Sequence, residues 1–206
     1  MESGYEYHHY GETSSYREVS HFGLITFSKF PIIAKGIIKF KDSKNNACLY
    51  SDILINQDTV RVYNIHLESI HLEHKDHSTI DNIINLSEVT QSSWYSLFNH
   101  LRTAFTKRAS QADIISTHMT SCIYPIILCG DFNDTPSSYA YRQISEHLND
   151  NFDKGNFGLG ATYAGELPIR IDFILNSKGI TGTKQLIIKE KFSDHYPLVC
   201  RFEYLE

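Results

Sequence analysis

The chain places imidazoles and carboxylates at the ends of apolar runs. Tyr63-Asn64-Ile65-His66-Leu67 sets a histidine between aliphatic neighbours. Gly130-Asp131-Phe132-Asn133-Asp134 follows the apolar run Pro125 to Cys129 and carries amide and carboxylate tips. Arg170-Ile171-Asp172-Phe173-Ile174-Leu175 holds one carboxylate in an otherwise apolar stretch. Phe192-Ser193-Asp194-His195-Tyr196-Pro197-Leu198 puts a carboxylate beside an imidazole just before the last apolar run. Taken singly, each has a plain structural reading: a strand-end histidine, an Asx-rich turn, a solvent-facing Asp172. A buried carboxylate without a partner is costly, so in this setting Asp172 should meet a histidine, an arginine or a metal. Neighbouring side chains on an extended segment point opposite ways, so Asp194 and His195 should serve different partners. Together these residues suit hydrolysis by an activated water with metal-assisted charge stabilisation. No G-x-S-x-G nucleophile signature and no G-x-x-x-x-G-K phosphate loop occurs. Phosphate esters fit such a set, because their transition state places charge on phosphoryl oxygens.

The elements that must position these groups can be read from periodicity and turn residues. Strands are predicted over Gly23–Ser28, Ile32–Phe40, Ala47–Ile55 and Thr59–Leu67. The Lys29-Phe30-Pro31 step and the polar turns Lys41–Asn46 and Asn56-Gln57-Asp58 separate them, the pattern of a meander. Residues 1–20 are polar and aromatic and yield no strand. Two helices are expected between Asp76 and Ser121. The first holds Ile80, Ile83, Ile84 and Leu86. The second holds Trp94, Leu97, Phe98, Leu101 and Phe105 and runs past Ile115. Pro125–Cys129 reads as a strand, Gly130–Pro136 as a loop, and Ser138–Leu148 as a helix with Ser137 as its N-cap. A glycine-rich loop over 151–160 precedes strands at Ile169–Leu175, Gln185–Lys189 and Leu198–Tyr204. With no linker or repeat, residues 1–206 form a single domain of the α+β class, helices packed on sheets.

Composition narrows the class of function. The 206 residues are 41% hydrophobic, enough for a core. The net charge of −5, from 19 basic and 24 acidic residues, disfavours a protein that grips duplex DNA through its phosphates. No C-x-x-C pair occurs, and Cys48, Cys129 and Cys200 lie in apolar runs that suit small core residues. No stretch reaches the length of a membrane-spanning helix, and Met1 to Glu12 has no signal-peptide core. The compartment stays open.

The order N-x-H-L, G-D-F-N, R-I-D-F-I-L, S-D-H-Y-P-L resembles the motif series of the endonuclease/exonuclease/phosphatase (DNase I-like) superfamily. Gly23 to Gly36 and Lys107 to Ala112 also resemble family segments. The resemblance implies a two-sheet β-sandwich flanked by helices. It implies a metal-dependent phosphoester hydrolase using Mg2+, with Mn2+ as a substitute. Asp131 would orient or activate water, or protonate the leaving group, and would also help hold the metal. Asn133 would bond the scissile phosphate and the neighbouring acid. His195 would contact the phosphate or act as base, oriented by Asp172. His66 would bind a phosphate oxygen, and Asp194 would lie at the metal.

The family also has an early strand ending in Asn and another ending in Gln-Glu, whose Glu is the principal metal ligand. Neither is found before Gly23; Glu2, Glu6, Glu12 and Glu18 lie in polar sequence. The chain is therefore expected to lack the first strands of its domain and to have little or no activity alone, unless Glu12 or Glu18 takes the metal. The missing Glu sets the alternative of a non-catalytic binding module. The substrate stays open among lipid headgroups, nucleotides, sugar phosphates and single-stranded nucleic acid. Exposed edges of an incomplete sandwich predict self-association.

Overall fold

The computed structural model describes residues 4–204 except 18, 42, 71–78, 81, 84–87, 153–159, 166–167 and 184. In chain order the strands are β1 (Tyr7–Tyr16), β2 (Ser20–Ser28), β3 (Ile32–Lys39), β4 (Ala47–Ile55) and β5 (Asp58–His66). Helix α1 (Gln91–Thr120), β6 (Ile126–Asp131), helix α2 (Tyr139–Ser145) and β7 (Asn149–Asp150) follow. The chain closes with β8 (Asp172–Asn176), β9 (Ile180–Gly182), β10 (Leu186–Ile187), β11 (Leu198–Val199) and β12 (Phe202–Tyr204).

The centre is a six-stranded sheet in the order β3-β4-β5-β6-β8-β7. Its strands are antiparallel except β5 and β6, which run parallel across the long α1 connection. Alternation divides the sheet's faces. Cys48, Tyr63, Ile65, Leu128, Phe132, Phe173 and Leu175 turn one way, and Ala112, Ile115, Ala140 and Ile144 of the helices close over them as the core. The neighbours of those residues, Leu49, Ser51, Asn64, His66, Asp131 and Asp172, turn the other way. The β1–β2 hairpin lies on that second face. His9 Nδ1 meets Ser51 Oγ at 2.9 Å, and Asn64 donates to the Ile25 carbonyl at 3.0 Å. Gly11 permits the approach, since a Cβ there would sit 2.3 Å from Leu49 Cδ2. The hairpin packs against β3, β4 and β5, and the short pairs β9–β12 and β10–β11 pack against β8 at the other side of the sheet, in an α+β sandwich.

The differences from the expected elements have physical reasons. β1 is a strand although its sequence reads as polar. Its alternate positions His9 and Gly11 are buried while the residues between face out. The turn after it puts Arg17 at φ 52 without a glycine to announce it. β6 does not stop at Cys129 but carries Gly130 and Asp131 into the sheet. Ser138, not Ser137, caps α2: it is extended, and its side chain accepts from the Tyr141 N–H. The expected last strand is divided into β11 and β12, which pair with different partners. In the first expected helix, 79–80 and 82–83 are helical. Ile84, Leu86, most of the glycine-rich loop, Glu2 and Glu18 lie outside the described residues.

Candidate active site

One row of the central sheet assembles the group. His66 is the register partner of Asp131 in the β5–β6 pair. Asp131 is in turn the partner of Asp172 in the β6–β8 pair. Residues opposite one another share a face, so all three side chains leave the face away from the helices. Gly130 makes the close fit possible. Its φ is +144°, and a Cβ there would lie 2.0 Å from the Ile65 carbonyl oxygen. Only glycine tolerates both the conformation and the contact.

Asn133 wraps around Asp131. Its left-handed backbone, φ 51, turns its N–H back to Asp131 Oδ1 at 2.7 Å and its side-chain amide to Oδ2 at 3.0 Å. The same amide donates to the Leu67 carbonyl at 3.0 Å. Asp131 is pushed up to about 6, first by burial and then by the charge of Asp172, against the lowering effect of Asn133, His66 and His195. An acidic group held up in this way is one that a nearby cation would relieve.

His195 reaches the row from the loop before β11. Its Nδ1 meets Asp172 Oδ2 at 2.9 Å, and its Nε2 lies 4.0 Å from Asp131 Oδ2. Asp172 thus has a histidine as partner, while Arg170 pairs with Asp150. The Asp172 bond raises His195 to about 8, against burial, which lowers it. Thr162, fully buried, ties the two residues together. Its Oγ1 accepts the N–H groups of Ile171 and Asp172, each at 3.0 Å, and its carbonyl accepts Tyr196 N–H at 2.8 Å. The Tyr163 ring meets the His195 ring edge-on at 5.4 Å.

His66 approaches from the other side, with Nε2 at 3.7 Å from the same Asp131 Oδ2. Its Nδ1 lies 3.3 Å from the amide nitrogen of Asn46. The structure therefore brings His66, Asp131, Asn133, Asp172 and His195 together. Asp194 follows a different course. It is exposed, and its backbone carbonyl accepts from Ala164. Among the described residues, the group whose ligand atoms lie within 4.8 Å of one another is Asp131, Asp172 and His195, without Asp194.

Sequence reasoning missed Asn46, Thr162 and Tyr163. Asn46 sat in what read as a polar turn. Counting back along the β4–β5 hairpin from its Asn56-Gln57 turn would have placed it opposite Leu67, beside His66. For Thr162 and Tyr163 no periodic signal exists, because their segment forms only an isolated bridge, Tyr163 to His195.

With this geometry in place, the chain's relatives can be named. The model of the Endonuclease/Exonuclease/phosphatase family matches residues 2–195, and the chain belongs to that family, a class of phosphoester hydrolases. The catalytic domain of human nocturnin, solved with bound sulfate, superposes with a TM-score of 0.66 at 16% identity, covering 98% of this chain and 73% of that one. A mannosyl-6-phosphatase from Bacteroides thetaiotaomicron gives 0.62 at 14% identity, covering 96% and 77%. Beta toxin from Staphylococcus aureus gives 0.61 at 16% identity, covering 97% and 78%. Comparison with curated proteins gives no match.

Proposed function

We propose that this chain carries the machinery for metal-assisted hydrolysis of a phosphoester. The observation behind this is the convergence of both imidazole Nε2 atoms on Asp131 Oδ2, at 3.7 and 4.0 Å. In the proposed reaction a water oxygen bonds to phosphorus as the bond to the leaving oxygen breaks. One proton leaves the water and one is delivered to the leaving group. Asp131, oriented by Asn133, handles the water or the leaving group. His195, fixed by Asp172, stands against the phosphoryl oxygens or takes the proton, and His66 donates to an oxygen from the opposite side.

The donor set fits a hard divalent cation, since carboxylate oxygens dominate it and Asp131 is held up by burial and by Asp172. Asp131 would hold Mg2+, or Mn2+ in its place. Asp194, exposed beside the group, adds charge and is the proposed second carboxylate. Such an ion supplies stabilisation of charge on the phosphoryl oxygens. No Gln-Glu pair occurs in the sequence to complete the set, so the proposed turnover is slow. That same observation favours the second reading, a non-catalytic module that keeps the site as a binding surface.

The substrate class is a phosphoester, with sugar phosphates, nucleotides, lipid headgroups and single-stranded nucleic acid all open. The test is hydrolysis of bis-p-nitrophenyl phosphate beside the monoester p-nitrophenyl phosphate, with manganese and with EDTA. Metal-stimulated release of p-nitrophenol supports the hydrolase. Binding of phosphate without release from either ester supports the module.

A further inference from the structure

We propose that Asn46 is a positioning residue that holds His66 as the tautomer with its hydrogen on Nε2, so that the ring presents an N–H donor at Asp131. Asn46 is 4% exposed, and both ends of its amide are committed. Its nitrogen donates to the Leu67 carbonyl at 2.7 Å. A carbonyl oxygen only accepts, so the atom facing it must be the NH2 and not the oxygen. The Asn46 oxygen in turn accepts the Ser43 hydroxyl. The amide is fixed in this sense by the Leu67 carbonyl: turned end for end it would set oxygen against oxygen there, although the Ser43 hydroxyl could still accept from the turned NH2. That same NH2 lies 3.3 Å from His66 Nδ1. Two donors cannot share a hydrogen bond, so Nδ1 must be the bare, accepting nitrogen and the ring hydrogen must lie on Nε2.

The contrast with the other imidazole is direct. His195 Nδ1 faces a carboxylate, which accepts, so in the neutral ring its hydrogen lies on Nδ1 and its Nε2 is free to accept. Two histidines on either side of Asp131 are thus set in opposite senses, one as donor and one as acceptor, by Asn46 and Asp172. Leu67 links the parts. Its carbonyl accepts from both Asn46 and Asn133, and its N–H donates to the Asp131 carbonyl at 3.0 Å.

The tautomer follows from the hydrogen bonds alone; its effect on rate rests on the proposed hydrolysis. The experiment is a long-range proton–nitrogen spectrum of the ring-labelled, metal-free protein at about pH 8.5, well above the ordinary imidazole pKa. A pyridine-like Nδ1 and a pyrrole-like Nε2 on His66 are expected; the reverse assignment overturns the proposal. In Asn46→Asp the new carboxylate accepts, so the hydrogen moves to Nδ1, and an unmoved spectrum overturns it equally. The wild-type spectrum decides the matter if that variant does not fold. In turnover, Asn46→Asp is expected to lower kcat on the order of 10²-fold, the cost of one lost donor, with KM little changed. Because Asn46→Asp also loses its bond to Leu67, the same change is made in a His66→Gln background. No further loss there supports action through His66, while an equal loss in both backgrounds shows a structural effect only and overturns the positioning role. A protein with no turnover would fail the hydrolase reading and leave the spectrum to judge the tautomer.

Discussion

At Asp172 and His195 a single hydrogen bond sets the behaviour of both ends of the site. His195 is raised to about 8 chiefly by Asp172. A folded-state pKa above the ordinary value means that folding favours the imidazolium. That contribution is complete below the ordinary histidine pKa and is lost as pH rises through about 8. Asp131 is also raised, to about 6, but for a carboxyl the sign is opposite. Folding disfavours its charged form, so a penalty enters between the ordinary carboxylate range and about 6. In the metal-free protein, Asp172→Asn should bring His195 back toward its ordinary value and lower Asp131 as well. Titration of the His195 ring protons by NMR checks this; an unchanged midpoint would show that the charges of Asp131 and Asp194, not Asp172, raise the ring. Most of these residues were legible because each interrupts an apolar run with a polar tip. Asn46 was not, because an asparagine in a polar turn has an ordinary use there, and only the hairpin's register reveals its neighbour.

At the scale of elements, β6 and α1 decide where Asp131 stands. Gly130 has no room for a side chain, with the Ile65 carbonyl 2.0 Å from where its Cβ would be. Gly130→Ala should push β6 off β5 and cost about 3 kcal/mol or more, as strain and steric conflict combine. A denaturation midpoint within experimental error of wild type would show that the strand pair yields freely. Behind the Asp131 loop, the fully buried Arg108 of α1 donates to Asp134 at 2.8 Å and to the Glu68 carbonyl at 2.9 Å. It joins the exit of β5 to the exit of β6. Arg108→Met leaves the Asp134 carboxylate buried and should destabilise by about 3–5 kcal/mol; urea denaturation reads it, and a loss under about 1 kcal/mol would mean that Asp134 finds water instead. β3, β4 and β5 were readable from alternation broken by polar turns, with bounds within a residue or so of those observed. β1 was not, because its buried face consists of a histidine and a glycine, whose burial depends on Leu49 and Ser51 of a strand far along the chain. The cap of α2 fell one residue late for a related reason: Ser137 and Ser138 both suit an N-cap, and only backbone geometry selects Ser138.

For the molecule as a whole, the sandwich is uneven. The six-stranded sheet has helices over one face, while the hairpin on its other face leaves Tyr10, Phe22, Ile25 and Phe27 exposed. Apolar surface of that kind favours association. Sedimentation should therefore show concentration-dependent self-association that persists in high salt, and Phe27→Ser with Ile25→Ser should reduce it. A monomer at all concentrations would contradict this. The acidic balance, −5 overall, was read as disfavouring duplex DNA, and no helix among the described residues is long and apolar enough to cross a membrane. Fold and family were legible because the motifs stand in order along the chain; substrate choice was not, because it depends on loops whose residues carry no fixed pattern. The central claim is that the row His66, Asp131, Asp172, with His195 beside it, performs hydrolysis. The most direct measurement is the rate of bis-p-nitrophenyl phosphate hydrolysis in manganese by the 206-residue chain and by its Asp131→Ala and His195→Ala variants. Slow metal-stimulated turnover that falls about 10²–10⁴-fold in each variant is the predicted result; turnover equal in all three proteins would contradict the assignment.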